Sequence, residues 1–348
     1  MKLRVGIIGL GETWERSHRP ALRALSDRFE IRAVCAEVSH LAQQAARDFS
    51  AEEVSGFRAL CQRDDVEAVL LFSPEWYGPL PIYAACDAGK AIYCASAFDL
   101  QPEQADDVRQ RVESAGIAFM AEFPRRLAPA TVRLKELIAT RLGEPRLLFC
   151  HRRVPVEKNK IERRRPGSCP VAVREMMELV DWCRYVVGSE ATSVFGVKHL
   201  ADGSEVVDYQ MMNLDFSSPG ERGHGPTAQI SSGQYMPGHW QEASSFRPPA
   251  ALQVACARGI AFVDLPSTLT WFDEAGRHME SLESERPVGE MQLVQFHRAV
   301  TSLVLRTADL EDTYRSLRIV QAAERSALEG RRIDLDFPAQ PRGGPLPH

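Results

Sequence analysis

The residues best placed for ligand chemistry open the chain. Leu3-Arg4-Val5-Gly6-Ile7-Ile8 is apolar enough for a buried strand and runs into Gly9-Leu10-Gly11-Glu12-Thr13-Trp14. A glycine-rich turn between a strand and a helix is how a dinucleotide-binding βαβ unit begins. Gly9 permits the tight turn and Gly11 a close backbone approach to a pyrophosphate. The helix following Glu12 and Thr13 offers unpaired N–H groups and the positive end of its dipole. Trp14 stands where such turns carry a third glycine. Its indole either packs the first helix against the sheet or narrows the phosphate channel. Glu37 closes the segment Ala33-Val34-Cys35-Ala36-Glu37. A carboxylate there accepts both hydroxyls of an adenosine ribose and repels a 2'-phosphate, which favours NAD over NADP.

A second group lies near the middle of the chain. Arg174 and Glu178 are spaced i,i+4 and so share one helix face. They form either a salt-bridged surface pair or a site in which Arg174 anchors a carboxylate or a hydroxyl-rich ligand. Glu178 then serves as acceptor or base. The stretch Arg152–Arg165 holds seven Arg/Lys against two Glu. It reads as a solvated loop or as part of an anion site, because guanidinium groups suit bidentate contacts. The formal charge of -5 argues against nucleic acid as a partner. His151, His224 and His239 fit no compact metal-ligand spacing, so no metal is expected. Trp240 or Tyr235 can stack on a sugar-like ligand, with ordinary packing as the alternative.

These residues need a scaffold, and 348 residues are enough for two domains with real cores. Residues 1–123 alternate apolar strands (Val5–Ile8, Ile31–Ala36, Ala68–Phe72, Ala91–Cys94, Ile117–Met120) with helical patterns. This predicts an α/β Rossmann domain whose parallel sheet is covered on both faces. Residues 124–337 are dominated by short strands, including a predicted strand over Met291–Leu305, and a last helix over Asp312–Leu328. They predict an α+β domain with a large, mostly antiparallel open sheet. The Pro/Gly-rich tail 338–348 is expected to be disordered. Eight scattered cysteines without a C-x-x-C pair suit a reduced, cytoplasmic protein, with Cys169 the only one in a polar loop. No apolar run approaches a membrane span.

Several motifs together resemble the glucose-fructose oxidoreductase / inositol dehydrogenase / MocA family. They are the glycine turn with His18 after it, Ser73-Pro74, Ala84-Ala85-Cys86-Asp87-Ala88-Gly89-Lys90, and Phe123-Pro124-Arg125-Arg126-Leu127-Ala128-Pro129. Leu142-Gly143-Glu144-Pro145 and the late run Ala322–Arg331 complete the set. The resemblance implies a Rossmann domain binding NAD, with Ser73 and Pro74 beside the cofactor. It also implies a sugar, polyol or related small-molecule substrate, and a homodimer or homotetramer built on the second sheet. The catalytic residues depart from the pattern. The family's Glu-Lys-Pro becomes Ala95-Ser96-Ala97, which puts Ser96 at the lysine. Alignment through Asp181 puts Arg174, Met176 and Glu178 at the usual Asp, Gly and His. Two expectations follow: an NAD-dependent oxidoreductase with a rearranged site at Ser96, Arg174 and Glu178, or an inactive relative serving as a ligand-binding, assembly or regulatory protein.

Overall fold

The protein is represented by a computed structural model describing residues 2–11, 13–95, 102–156, 171–201, 207–218, 220–237, 239–240, 242, 250–282, 286–302 and 308–337. Strands β1 (Leu3–Ile8), β2 (Phe29–Cys35), β3 (Glu52–Glu53), β4 (Ala68–Leu71), β5 (Ala91–Cys94) and β6 (Phe119–Ala121) form one sheet. Its order is β3-β2-β1-β4-β5-β6 and every pairing is parallel. The order reverses at β1, with Val5 opposite Ile31 on one side and Ala68 on the other. Ligands bind outside the carboxyl ends of the strands at such a switch point. Val5, Ile7, Ile8, Leu70, Leu71 and Ile92 are fully buried, as expected for strands covered on both faces.

The second sheet has nine strands: β7 (Pro145–Val156), β8 (Ser193–Leu200), β9 (Val207–Asp215), β10 (Thr227–Pro237), β11 (Leu252–Cys256), β12 (Gly259–Asp264), β13 (Thr268–Asp273), β14 (Gly276–Ser281) and β15 (Ile333–Asp334). Its order is β14-β13-β12-β11-β7-β10-β9-β8-β15, and only the central pair β7/β10 is parallel. One face is covered by the helices Val171–Val187 and Ala308–Glu329. Their Met176, Val180 and Val320 share a core with Leu148, Cys150, Val194 and Ile230 of the strands. The other face carries exposed Leu147, Val197 and Phe272.

One predicted element changes type. Met291–Leu305 was expected as a strand, but Val288–Thr301 is a helix. Leu293 and Phe296, three residues apart, point from one face into the core of the first sheet, where Phe296 meets Tyr93 edge-on with ring centroids 5.4 Å apart. The apparent alternation Met291, Leu293 concealed that helical period. The last helix, Ala308–Glu329, returns to the junction, where Arg109 of the helix Pro102–Ala115 reaches Glu311 at 3.2 Å. Seven of the cysteines are buried and unbridged. Cys169 and the tail 338–348 lie outside the described residues, as does the stretch 157–170 that contains most of the basic loop.

Candidate dinucleotide and substrate site

The glycine turn is formed by backbone that larger residues could not adopt. Gly9 has φ +74°, and a Cβ on it would lie 2.5 Å from Ser73 Cβ and 3.1 Å from Glu37 Oε1. Gly9 and the second residues after β2 and β4, Glu37 and Ser73, therefore converge at one point. The close approach that Gly11 makes in this structure is to protein: a Cβ there would sit 2.1 Å from the Phe72 carbonyl oxygen. Its N–H donates to the buried Ser73 hydroxyl at 2.8 Å. Pro74 then starts the short helix Pro74–Tyr77. Glu12 lies outside the described residues, and Thr13 is exposed beside the turn.

Trp14 takes the packing option. It is 5% exposed and rests against Phe49 and Phe72, with centroids 6.1 and 5.8 Å away, inside the core below the first helix. The helix accommodates it by widening: Trp14–His18 is a π-type turn in which Thr13's carbonyl accepts from both Ser17 N–H (2.8 Å) and His18 N–H (3.4 Å). A π-turn admits one extra residue per hydrogen-bonded loop, so the first turn grows wider where a glycine would have kept it narrow.

His18 is 1% exposed and stacks on Phe72 at 4.1 Å. Its Nε2 lies 2.7 Å from Glu122 Oε1, and Thr13 Oγ1 lies 3.3 Å from Nδ1. The Tyr93 hydroxyl donates to the same Glu122 oxygen at 2.5 Å. Glu122 extends β6 beyond its last residue, since its N–H donates to Cys94 O at 2.9 Å.

Across the junction, the helix Val171–Val187 presents its charges to β7 and to the crossover segment. Arg174 and Glu178 share the helix, but Glu178 Oε2 is ion-paired to Arg125 Nε at 3.4 Å. Of the two alternatives, the Arg174–Glu178 surface pair does not form among the described residues; the ion pair of Glu178 runs across the junction. The physical reason is that Arg125, on the short helix Pro124–Leu127, lies over the Trp182 ring at 5.5 Å and so is already oriented toward that face. One turn earlier Glu175, 8% exposed, pairs with Arg152 of β7 at 2.9 Å. Burial pushes its carboxyl above the usual range, against the pull of Arg152. Asp181 is fully enclosed and chelated by Arg126 through Nε (2.8 Å) and Nη2. Burial raises its pKa as well, with Arg126 opposing. Ser96 lies outside the described residues.

Sequence reasoning assigned no role to Arg125, Glu175, Glu122 or Tyr93. Arg125 and His18 did stand inside quoted motifs, but only the fold reveals their partners. Tyr235 and Trp240 are exposed, and Tyr235 meets Tyr209 edge-on at 6.1 Å. Among the described residues, no group of three His, Cys, Asp or Glu is arranged to hold a metal ion.

Comparison with known proteins agrees with this frame. The chain is 23% identical over 294 residues to the uncharacterized oxidoreductase YrbE of Bacillus subtilis, covering 81% of this chain and 82% of that one. It is 30% identical over 144 residues to the levoglucosan dehydrogenase of Pseudarthrobacter phenanthrenivorans, covering 39% and 37%. A solved structure of levoglucosan dehydrogenase in complex with NADH and levoglucosan superposes with TM-score 0.81 at 18% identity, covering 96% and 99%. Residues 3–123 match the family described as an oxidoreductase family with an NAD-binding Rossmann fold. Over that domain, about a third of the chain, the sequence is similar to the Gfo/Idh/MocA oxidoreductases, and the matched description is of an NAD-binding fold.

Proposed function

We propose that this protein is an NAD-dependent oxidoreductase acting on the hydroxyl or carbonyl of a sugar, polyol or related small molecule. The observation that carries the reading is the position of Trp14, whose indole lies in the core. The turn at Gly9, Gly11 and Thr13 thus keeps its place at the switch point, with Ser73 and Pro74 beside it. Glu37, held against Gly9, is placed to accept the adenosine ribose hydroxyls and to disfavour a 2'-phosphate. NAD would supply a hydride acceptor. The chain would supply the cradle, with Arg174, Glu175 and Glu178 on the facing helix, Arg125 on the crossover helix and Arg152 on β7 to orient an oxygen-rich or anionic substrate. Assembly as a homodimer or homotetramer through the open face of the second sheet accounts for exposed Leu147, Val197 and Phe272.

One observation favours the non-catalytic alternative: Glu178 and Asp181 are both bound by arginines. Two measurements decide between the readings. Calorimetry should show NAD or NADH binding more tightly than NADP, and steady-state NADH formation should be tested over a sugar and polyol panel. Equal affinity for both nucleotides refutes the role of Glu37. Nucleotide binding without turnover on any panel member supports the ligand-binding relative.

A further inference from the structure

We propose that Glu122 is the base that takes the substrate's hydroxyl proton, with His18 and Tyr93 as positioning residues; this rests on the oxidoreductase reading above. The position is right for it. Glu122 stands at the carboxyl ends of β5 and β6, where an open α/β sheet receives its ligands. Arg125, three residues on, is ion-paired with Glu178 of the helix Val171–Val187.

The bonding is right as well. Glu122 Oε1 receives the Tyr93 hydroxyl at 2.5 Å and His18 Nε2 at 2.7 Å, while Oε2 has no partner among the described residues. The side chain keeps 12% exposure, whereas His18 keeps 1%. One oxygen is therefore clamped and the other remains an open acceptor. Thr13 Oγ1 beside Nδ1 gives the imidazole a donor on that side, which leaves Nε2–H to donate to the carboxylate. A base oriented by a second group, itself oriented by a third, is the general arrangement of an activated proton acceptor.

In the reaction, the substrate O–H bond breaks and its proton passes to Glu122 Oε2 as the carbon–oxygen double bond forms. NAD+, held at the Gly9–Gly11 turn with Glu37, would supply the oxidant by accepting the C–H electron pair as hydride. The proton on Glu122 returns to water after the product departs. Ser96 and Glu178 are not needed as bases in this scheme.

The test has two arms. In the ligand-free protein, nitrogen-15 NMR of His18 should show a protonated, exchange-protected Nε2 that loses its protection in Glu122→Ala. An Nε2 without a proton, or one unaffected by E122A, overturns the arrangement. In turnover, Glu122→Gln should lower kcat by about 10²–10⁴-fold while NADH affinity is unchanged, and Glu122→Asp should recover part of the loss. His18→Gln, which keeps a donor near the Nε2 position, should recover most of what His18→Ala loses. Turnover by E122Q within threefold of the natural protein overturns the base alone. No turnover by the natural protein with NADH bound removes the oxidoreductase reading and the base together.

Discussion

Replacing Arg126 with Met tests the enclosed carboxylate that ties the crossover segment to the substrate-side helix. Arg126 chelates Asp181 and also bonds Asp312 Oδ2 at 2.8 Å. In R126M the nearest remaining cation to Asp181 is Arg184, whose Nη1 is 3.7 Å from Oδ1 and which is already committed to Glu190 and Asp312. Removing one partner of a buried pair costs roughly 3–5 kcal/mol, because the other charge is left without compensation. At roughly 2–4 °C per kcal/mol for a large domain, the melting temperature should fall by roughly 6–20 °C. The loss should depend on pH. Asp181 is an acid whose folded pKa is raised by burial, so between its unfolded and folded pKa values the folded state holds the extra proton. Stability therefore falls as pH rises through that window. Losing Arg126 moves the folded pKa higher still, so the deficit of R126M against the natural protein should widen as pH rises between the two folded pKa values, by at most about 1.4 kcal/mol per pH unit. Denaturant unfolding of both proteins at pH 5 and pH 8 measures this. A deficit under about 1 kcal/mol, or one equal at both pH values, refutes the reasoning.

Gly9→Ala should abolish measurable NAD binding and destabilise the fold by roughly 1–3 kcal/mol, because alanine must adopt φ +74° and overlap Ser73; calorimetry and thermal unfolding check both. Trp14→Ala should cost roughly 3–5 kcal/mol through the cavity left between Phe49 and Phe72. Its NAD affinity should stay within severalfold of the natural protein once the variant is folded, and a large gain in affinity would show that the indole does obstruct the site. Ser96→Lys alone should not produce turnover on glucose or inositol, since Arg125 still engages Glu178; NADH formation across the panel decides. Light scattering should give a dimer or tetramer mass that falls in Val197→Arg, whereas a concentration-independent monomer mass for the natural protein removes the sheet-face interface.

The parallel sheet was legible because β1, β4 and β5 are buried on both faces, so their sequences are apolar almost throughout. Ala91–Cys94 needed no adjustment. Trp14 was not legible, since composition cannot say whether an indole points into a core or a channel; that depends on Phe49 and Phe72, distant in sequence. The helix Val288–Thr301 was misread because its core-facing residues serve the first sheet although they follow the second in the chain. The charged residues of the site show the same limit. An i,i+4 rule sees only Arg174 beside Glu178, while the actual partner of Glu178 arrives from position 125.

The parallel pairing of β7 and β10 bears on how the chain folds. Leu147 meets Thr227 and Cys150 meets Ile230, contacts that close a loop of 80 residues at the centre of the sheet. The neighbouring pairings are local: β8 with β9 and β9 with β10 on one side, and successive hairpins from β11 to β14 on the other. Local pairings close with little loop entropy and form early, whereas non-local parallel ones form late. Two preformed hairpin arrays would therefore wait for β7, synthesised before either, to be inserted between them. Until it arrives, β10 and β11 are open edges that can pair with another chain. Refolding yield should accordingly fall as protein concentration rises, and the sheet should complete as a slow final phase.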